Sequence, residues 1–311
     1  MKAAIVIEKG ETPVYGDFMD PQGDERHIVV NVKAAAISQL AKSRAAGTHY
    51  SSAVQYPFIP GIDGAGYLTN GDPVFFFALN SPFGSMAEMT LATTQSIVPL
   101  PGTLDPSMAA AMGNPGMSSW TALTRRAQLR KGETVLINGA TGTSGGLAVR
   151  IARHLGAGKI IATGRNTEVL EKLRHQGADI TLTLDELPLE LPKLMEEGID
   201  VVLDYLWGES ALDIMKSAVA GGARVVRFVQ IGSLSGQEIP LHSKLLRSSG
   251  LTLMGSGLGS VSNAELVSSV GELLQAAVQS DFSIPFRLRP LSEVKDAWNE
   301  DDSRCRTVFT L

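Results

Sequence analysis

The chain has 311 residues and one cysteine, Cys305, so it can form no internal disulfide and no thiolate cluster able to hold a structural zinc. Its five histidines, His27, His49, His154, His175 and His242, are scattered. Positive charge is not in excess: 27 Lys and Arg stand against 32 Asp and Glu, for a net charge of -5. A surface that must neutralise phosphates is therefore not expected, nor is a nucleic-acid partner. No apolar run approaches the roughly 20 residues that a membrane span needs. The run 74–79 reads as a buried strand, and the N-terminal run 1–7 is stopped by Glu8 before it could serve as a signal peptide. These absences predict a cytoplasmic protein. Low-complexity tracts and repeats of 20–50 residues are also missing.

What is present is the composition of a soluble globular protein, with 44% hydrophobic and 19% charged residues. The length suits two domains. Short β-type runs occupy 3–7, 28–36, 66–68, 74–77 and 86–92, separated by turn residues such as Pro57, Pro60-Gly61 and Gly71-Asp72-Pro73. A helix is expected from Pro106, with Asp105 as its N-cap. From 134 the pattern alternates: strand 134–138, helix 146–155, strand 159–163, helix 167–176, strands 180–183 and 200–204, helix 209–218, then strands 223–229 and 251–254. Strands alternating with helices imply a parallel sheet covered on both faces. After a helix over 264–279, a strand at 284–288, a short helix at 291–298 and a strand at 304–310 resemble a return to the first domain.

The strongest local signal is Gly139-x-x-Gly142-x-x-Gly145, placed where an apolar strand runs into a helix. A pyrophosphate must approach backbone N–H groups at a helix N-terminus, and side chains would obstruct it. Gly139, Thr141, Gly142, Thr143, Ser144 and Gly145 are thus the expected phosphate contacts. Position 141 departs from G-x-G-x-x-G, and a tight ligand-free strand–helix connection is the plainer reading. About 20 residues on, where a carboxylate would bond a ribose 2′-OH, the chain reads Thr163-Gly164-Arg165-Asn166. A guanidinium matches a 2′-phosphate that a carboxylate would repel. The expected cofactor is NADP(H), with Gly164 leaving room for adenosine and Thr163 and Asn166 adding hydrogen bonds. Tyr205, after strand 200–204, would either cover the cofactor or pack in the core. Ile231 and Gly232 end the next strand at the edge where ligands bind such sheets.

Pro60-Gly61-Ile62-Asp63-Gly64-Ala65-Gly66, Phe83-Gly84-Ser85-Met86-Ala87-Glu88, Gly116-Met117-Ser118-Ser119-Trp120-Thr121-Ala122-Leu123, the glycine turn and Gly177-Ala178-Asp179 occur in this order. Together they resemble the motifs of the medium-chain dehydrogenase/reductase superfamily, in its zinc-free quinone oxidoreductase branch. The resemblance implies an α/β protein with a GroES-like β-rich catalytic domain (1–113 and 280–311) and a Rossmann doubly wound parallel-sheet domain (114–279), often as a homodimer. Zinc-dependent members place Cys and His where this chain has Ser38 and Ile62, so no catalytic metal is expected. The implied activity is NADPH-dependent hydride transfer to quinones or α,β-unsaturated carbonyl compounds. Ser118 and Gly255 are implied near the nicotinamide.

Candidate catalytic groups are Ser38, His49 and Tyr50, the last two on a loop where the resemblance places the substrate. Arg44 reads as a surface residue and Asn114 as a phosphate contact or a turn residue. The branch commonly has Asn and Tyr where Ser38 and Ser43 stand, which keeps open a non-catalytic NADPH-binding sensor or structural protein. A short-chain reductase is not indicated, because no tyrosine is followed four residues later by lysine.

Overall fold

The computed structural model describes residues 1–49, 55–77, 81–219, 222–280, 282–300, 302 and 305–311. The chain forms two compact units, Met1–Met117 with Asn263–Leu311, and Ser118–Ser262. No helix among the described residues is long and apolar enough to cross a membrane.

The first unit begins with strands β1 (Lys2–Ile5), β2 (Val14–Asp17) and β3 (His27–Ala36), then helix α1 (Gln39–Ala45). Strands β4 (Asp63–Leu68), β5 (Pro73–Phe77), β6 (Met89–Thr93) and β7 (Ile97–Pro99) follow, and helix α2 (Pro106–Thr121) leads out. Strand β3 organises the unit. It pairs antiparallel with β4 along one edge and β6 along the other, with an irregularity in the β4 pairing between Val32 and Ala34. Phe75 and Phe76 of β5 are fully buried, each worth about 1.5–3 kcal/mol relative to exposure.

The sequence leaves α1 and the course of α2 unread. Ser38 caps α1, its Oγ accepting from the Ala41 N–H at 3.0 Å. Asp105 caps α2 as expected, accepting from the amides of Ser107 and Met108. Asn114, read from the sequence as either a phosphate contact or a turn residue, lies with Pro115 inside α2. Pro115 has no N–H to give, and the Asn114 N–H turns to the Asp63 carboxylate at 3.1 Å. The helix thus continues through a proline because an outside acceptor takes the displaced donor.

The second unit runs β8 (Thr134–Asn138), α3 (Thr143–His154), β9 (Lys159–Gly164), α4 (Thr167–His175), β10 (Ile180–Thr183), α5 (Leu187–Glu197), β11 (Val201–Asp204), α6 (Gly208–Ser217), β12 (Val225–Gln230), α7 (Ser243–Arg247) and β13 (Gly250–Gly255). Its parallel sheet has the order β10-β9-β8-β11-β12-β13. This is the doubly wound order, with a reversal beside β8. The fold class expected from the sequence is the one observed. Helix α5 was missed because Pro188 and Pro192 disguise it. Its buried Leu187, Leu191, Leu194 and Met195 keep helical spacing, and that packing overrides the prolines.

The chain then returns to the first unit through α8 (Asn263–Gln279), β14 (Phe286–Pro290), α9 (Val294–Glu300) and β15 (Arg306–Thr310). Strand β15 pairs with β3 and with β14. The unit boundaries fall at 117/118 and 262/263, whereas the sequence suggested 113/114 and 279/280. Helix α8 accounts for the larger shift: Asn263 reaches the Ser96 hydroxyl, and Gly271 lies against Val98.

Candidate functional site

In the second unit the carboxyl ends of β8 and β11 flank the point where the strand order reverses, which is where such sheets bind ligands. Gly139 leaves β8 with φ +91°, a conformation that favours glycine. Gly145 is required by close approach. A Cβ there would collide with the Gly139 carbonyl oxygen and lie 2.7 Å from the Ala140 Cα, both backbone atoms that cannot move aside. Helix α3 starts three residues earlier than the sequence indicated, with Thr143 and Ser144 in its first turn and no side-chain cap at Gly142. Beside Gly142 a Cβ would meet nothing closer than 3.8 Å. The turn therefore has an open approach and helix N–H groups left uncapped, as an anion site needs.

Arg165 follows β9 directly and is exposed, with no ion-pair partner among the described residues. Two of its expected helpers do other work. Thr163 is buried and donates to Asn138 Oδ1 at 2.9 Å, so it is not free for a phosphate. Asn166 caps α4, its Oδ1 accepting from the Val169 N–H, which leaves its amide nitrogen to donate. Gly164 makes room for the Thr141 side chain, which a Cβ would strike.

Beneath the turn lies a network the sequence reading missed. Asn138 donates to Asp204 Oδ1 at 2.8 Å and to Ser210 Oγ at 2.9 Å. The Asp204 carboxylate also accepts from the amides of Leu206 and Trp207. Burial raises Asp204 from 3.8 to about 6, against the opposing pull of these donors. Trp207, at φ +60°, is held in a conformation uncommon for a bulky residue. The same carboxylate that takes its amide fixes the chain there.

Tyr205 is buried, with its hydroxyl 2.7 Å from Ser119 Oγ. Ser119 Oγ lies 3.1 Å from the Ser144 carbonyl oxygen. When Ser119 gives its proton to that carbonyl, Tyr205 donates to Ser119. Tyr205 thus packs in the core and is tied through Ser119 to the first turn of α3. Burial raises its pKa and keeps the phenol protonated. Ser118, the hydroxyl singled out from the sequence, is half-buried one position away. Ile231 and Gly232 both donate to the Asp204 carbonyl, at 2.8 and 3.1 Å, which fixes the end of β12 beside β11. Gly255 is exposed, and its carbonyl accepts from Arg126 Nε at 2.8 Å.

In the first unit Ser38 is buried at the head of α1. Its oxygen accepts the Ala41 amide, which leaves its hydroxyl proton available to donate. His49 is half-buried, and burial followed by the nearby Arg44 charge lowers its pKa, holding the imidazole neutral. Tyr50 lies outside the described residues. Ile62 is buried hydrocarbon and offers no metal donor. Among the described residues no group of three or more His, Cys, Asp or Glu side chains is placed to hold a metal ion. Asp63, next to Ile62, is fully buried and raised from 3.8 to about 6 by desolvation, partly offset by Arg306 and the Asn114 N–H.

Comparison with known proteins adds three findings. A family model described as zinc-binding dehydrogenase matches residues 145–275. The chain is 29% identical, over the full length of both, to a probable NADPH-dependent quinone reductase of Emericella nidulans. It is 28% identical to the quinone oxidoreductase of Mus musculus, over 92% of this chain and 88% of that one. Among solved structures it is similar to the quinone oxidoreductase of Thermus thermophilus, which was also solved with NADPH. The TM-score is 0.83 and the identity 25%, with both chains covered in full.

Proposed function

Because the chain is a medium-chain dehydrogenase/reductase of the quinone oxidoreductase-like branch, we propose that it is a zinc-independent, NADPH-dependent reductase of quinones and α,β-unsaturated carbonyl compounds. The observation that carries the cofactor half of this reading is Arg165. It is an exposed guanidinium at the end of β9, with no acid paired to it among the described residues, on the same sheet edge as the uncapped start of α3. The names of the relatives support the same cofactor and the quinone acceptor.

When bound, NADP(H) supplies the hydride. The turn Gly139–Gly145 and the first amides of α3 would hold its pyrophosphate, and Arg165 with the Asn166 amide would hold its 2′-phosphate. Ser118 and Gly255 are assigned to the nicotinamide end by the family resemblance. The Asn138–Asp204 pair acts through the backbone, keeping the ends of β8 and β11 in register. In the first unit the Ser38 hydroxyl is free to donate to the oxygen of the acceptor, and His49, held neutral, is the second candidate beside it in our reading. Quinones and enones accept hydride with hydrogen-bond help at oxygen, whereas a simple alcohol needs an alkoxide stabiliser. Ser38 and Ile62, standing where zinc-dependent members have ligands, suit the former. We place the protein in the cytoplasm. A homodimer is supported by β13, an edge strand of the parallel sheet that exposes Leu253.

The test is NADPH oxidation with 9,10-phenanthrenequinone, 1,4-benzoquinone and simple enones, in protein treated with a chelator. Turnover that survives chelation supports the reading. NADPH binding without turnover on any acceptor would refute it in favour of a sensor.

A further inference from the structure

Arg44, taken from the sequence as a surface residue, lines a shallow pocket of the first unit that opens to solvent and encloses little space of its own. Apart from Ser81 the other side chains that line it are apolar, among them Ala41 from α1, Phe58, Ile59, Ile62 and Phe83. Arg44 Nε is buried and has no hydrogen-bond partner. Burial lowers the Arg44 pKa, and among the described residues no carboxylate acts against it. The closest charge effect runs the other way, since Arg44 pushes down the pKa of His49. A half-buried cation among hydrocarbon walls loses hydration without gaining a partner. Its place in the last turn of α1 does not require this, because Lys42 already serves that helix end and an exposed arginine would do so equally well.

We propose that Arg44 is a specificity-determining residue that recognises an anionic group, a carboxylate, on the hydride acceptor. The acceptors this pocket favours are then amphipathic quinones or enones, with an apolar body against Phe58, Ile62 and Phe83 and a carboxylate at Arg44. A guanidinium is suited to this because it presents planar paired donors to a carboxylate. The inference rests on the reductase reading above for the kind of molecule, and on the pocket alone for its charge.

The experiment uses a benzoquinone bearing a propanoate side chain and its neutral propanamide counterpart. Two methylenes separate the charge from the ring, so the two differ little as hydride acceptors. In the wild type, kcat/KM for the acid should exceed that for the amide by about tenfold or more, as a charged hydrogen bond allows. Arg44→Met should bring this ratio near one, and Arg44→Lys should retain part of it. A wild-type ratio near one, or a ratio unchanged in Arg44→Met, overturns the proposal. If neither quinone is reduced, calorimetric titration of the acid into NADPH-loaded protein separates the two ideas. Binding to wild type but not to Arg44→Met keeps the carboxylate site and removes the reductase reading. No binding to wild type overturns the site as well.

Discussion

Replacing Arg165 by alanine should change the choice of cofactor rather than the ability to bind one. The side chain is exposed, follows β9 directly and has no ion-pair partner among the described residues, so its removal leaves no buried group unpaired. What is lost is contact with a 2′-phosphate. A hydrogen bond to a charged group is worth about 1.5–3 kcal/mol, and for an exposed pair the Coulomb contribution lies toward its lower limit of about 1 kcal/mol. The expected penalty is therefore about 1.5–3 kcal/mol, or roughly 10- to 150-fold in the Kd for NADPH. NADH has no 2′-phosphate, and its Kd should stay within about twofold. Because the site is open to solvent, NADPH affinity of the wild type should fall as salt rises, and that of Arg165→Ala should fall less. Quenching of protein fluorescence by each cofactor, at low and high salt, measures all four constants. A wild type that binds both cofactors equally, or a variant weakened equally toward both, refutes the assignment.

Gly145→Ala should lower the Tm by several degrees and weaken NADPH binding, since its Cβ meets backbone on the Gly139–Ala140 side and overpacking of this kind costs about 1–3 kcal/mol. A wild-type melting curve would contradict the close approach. Ser38→Ala should cost about 1 kcal/mol through the lost cap of α1, and it should also lower kcat on quinones if the hydroxyl donates to the acceptor. Lost stability with unchanged turnover would confine Ser38 to the cap. Asp63 gives a pH signature. Its pKa is raised in the folded protein, from 3.8 to about 6, so the native state binds this proton more tightly than the unfolded chain does. The resulting stability is present below about pH 4 and lost as pH rises through about 6, by up to about 3 kcal/mol. Relative to wild type, Asp63→Asn should therefore gain stability by that order between pH 4 and 7. Denaturant titrations of both proteins across that range would disprove the buried, raised carboxyl if their difference stayed flat.

How much was legible in the sequence follows from the distance over which each cause acts. The glycine turn and the strand–helix alternation rest on neighbours within a few residues, and the absence of a carboxylate at the end of β9 is a composition fact at one position. The β-rich region likewise announced itself through short runs and turn residues. Features that depend on partners far along the chain were not legible. Asn138 and Asp204 are 66 residues apart and meet only because β8 and β11 are adjacent in the sheet. Choosing between Ser118 and Ser119 needed the helix itself, since one residue turns a side chain by about 100° and takes it from a half-buried position to the bond with Tyr205. Helix α5 hid behind two prolines until its leucines had a surface to pack on.

The amino-acid sequence by itself determined the doubly wound second unit, because residue type and local order state it, and it supplied Arg165 as the ground for proposing NADP(H) and, through the family resemblance, Ser38 and Ile62 as the ground for proposing a zinc-free site. Only the tertiary structure decided which polar groups are already committed, such as Thr163, Tyr205 and the cap oxygen of Ser38. It alone showed that Arg44 is half-buried with no carboxylate to meet it among the described residues. Burial and partnership are properties of a packed chain, and no single residue carries them in advance.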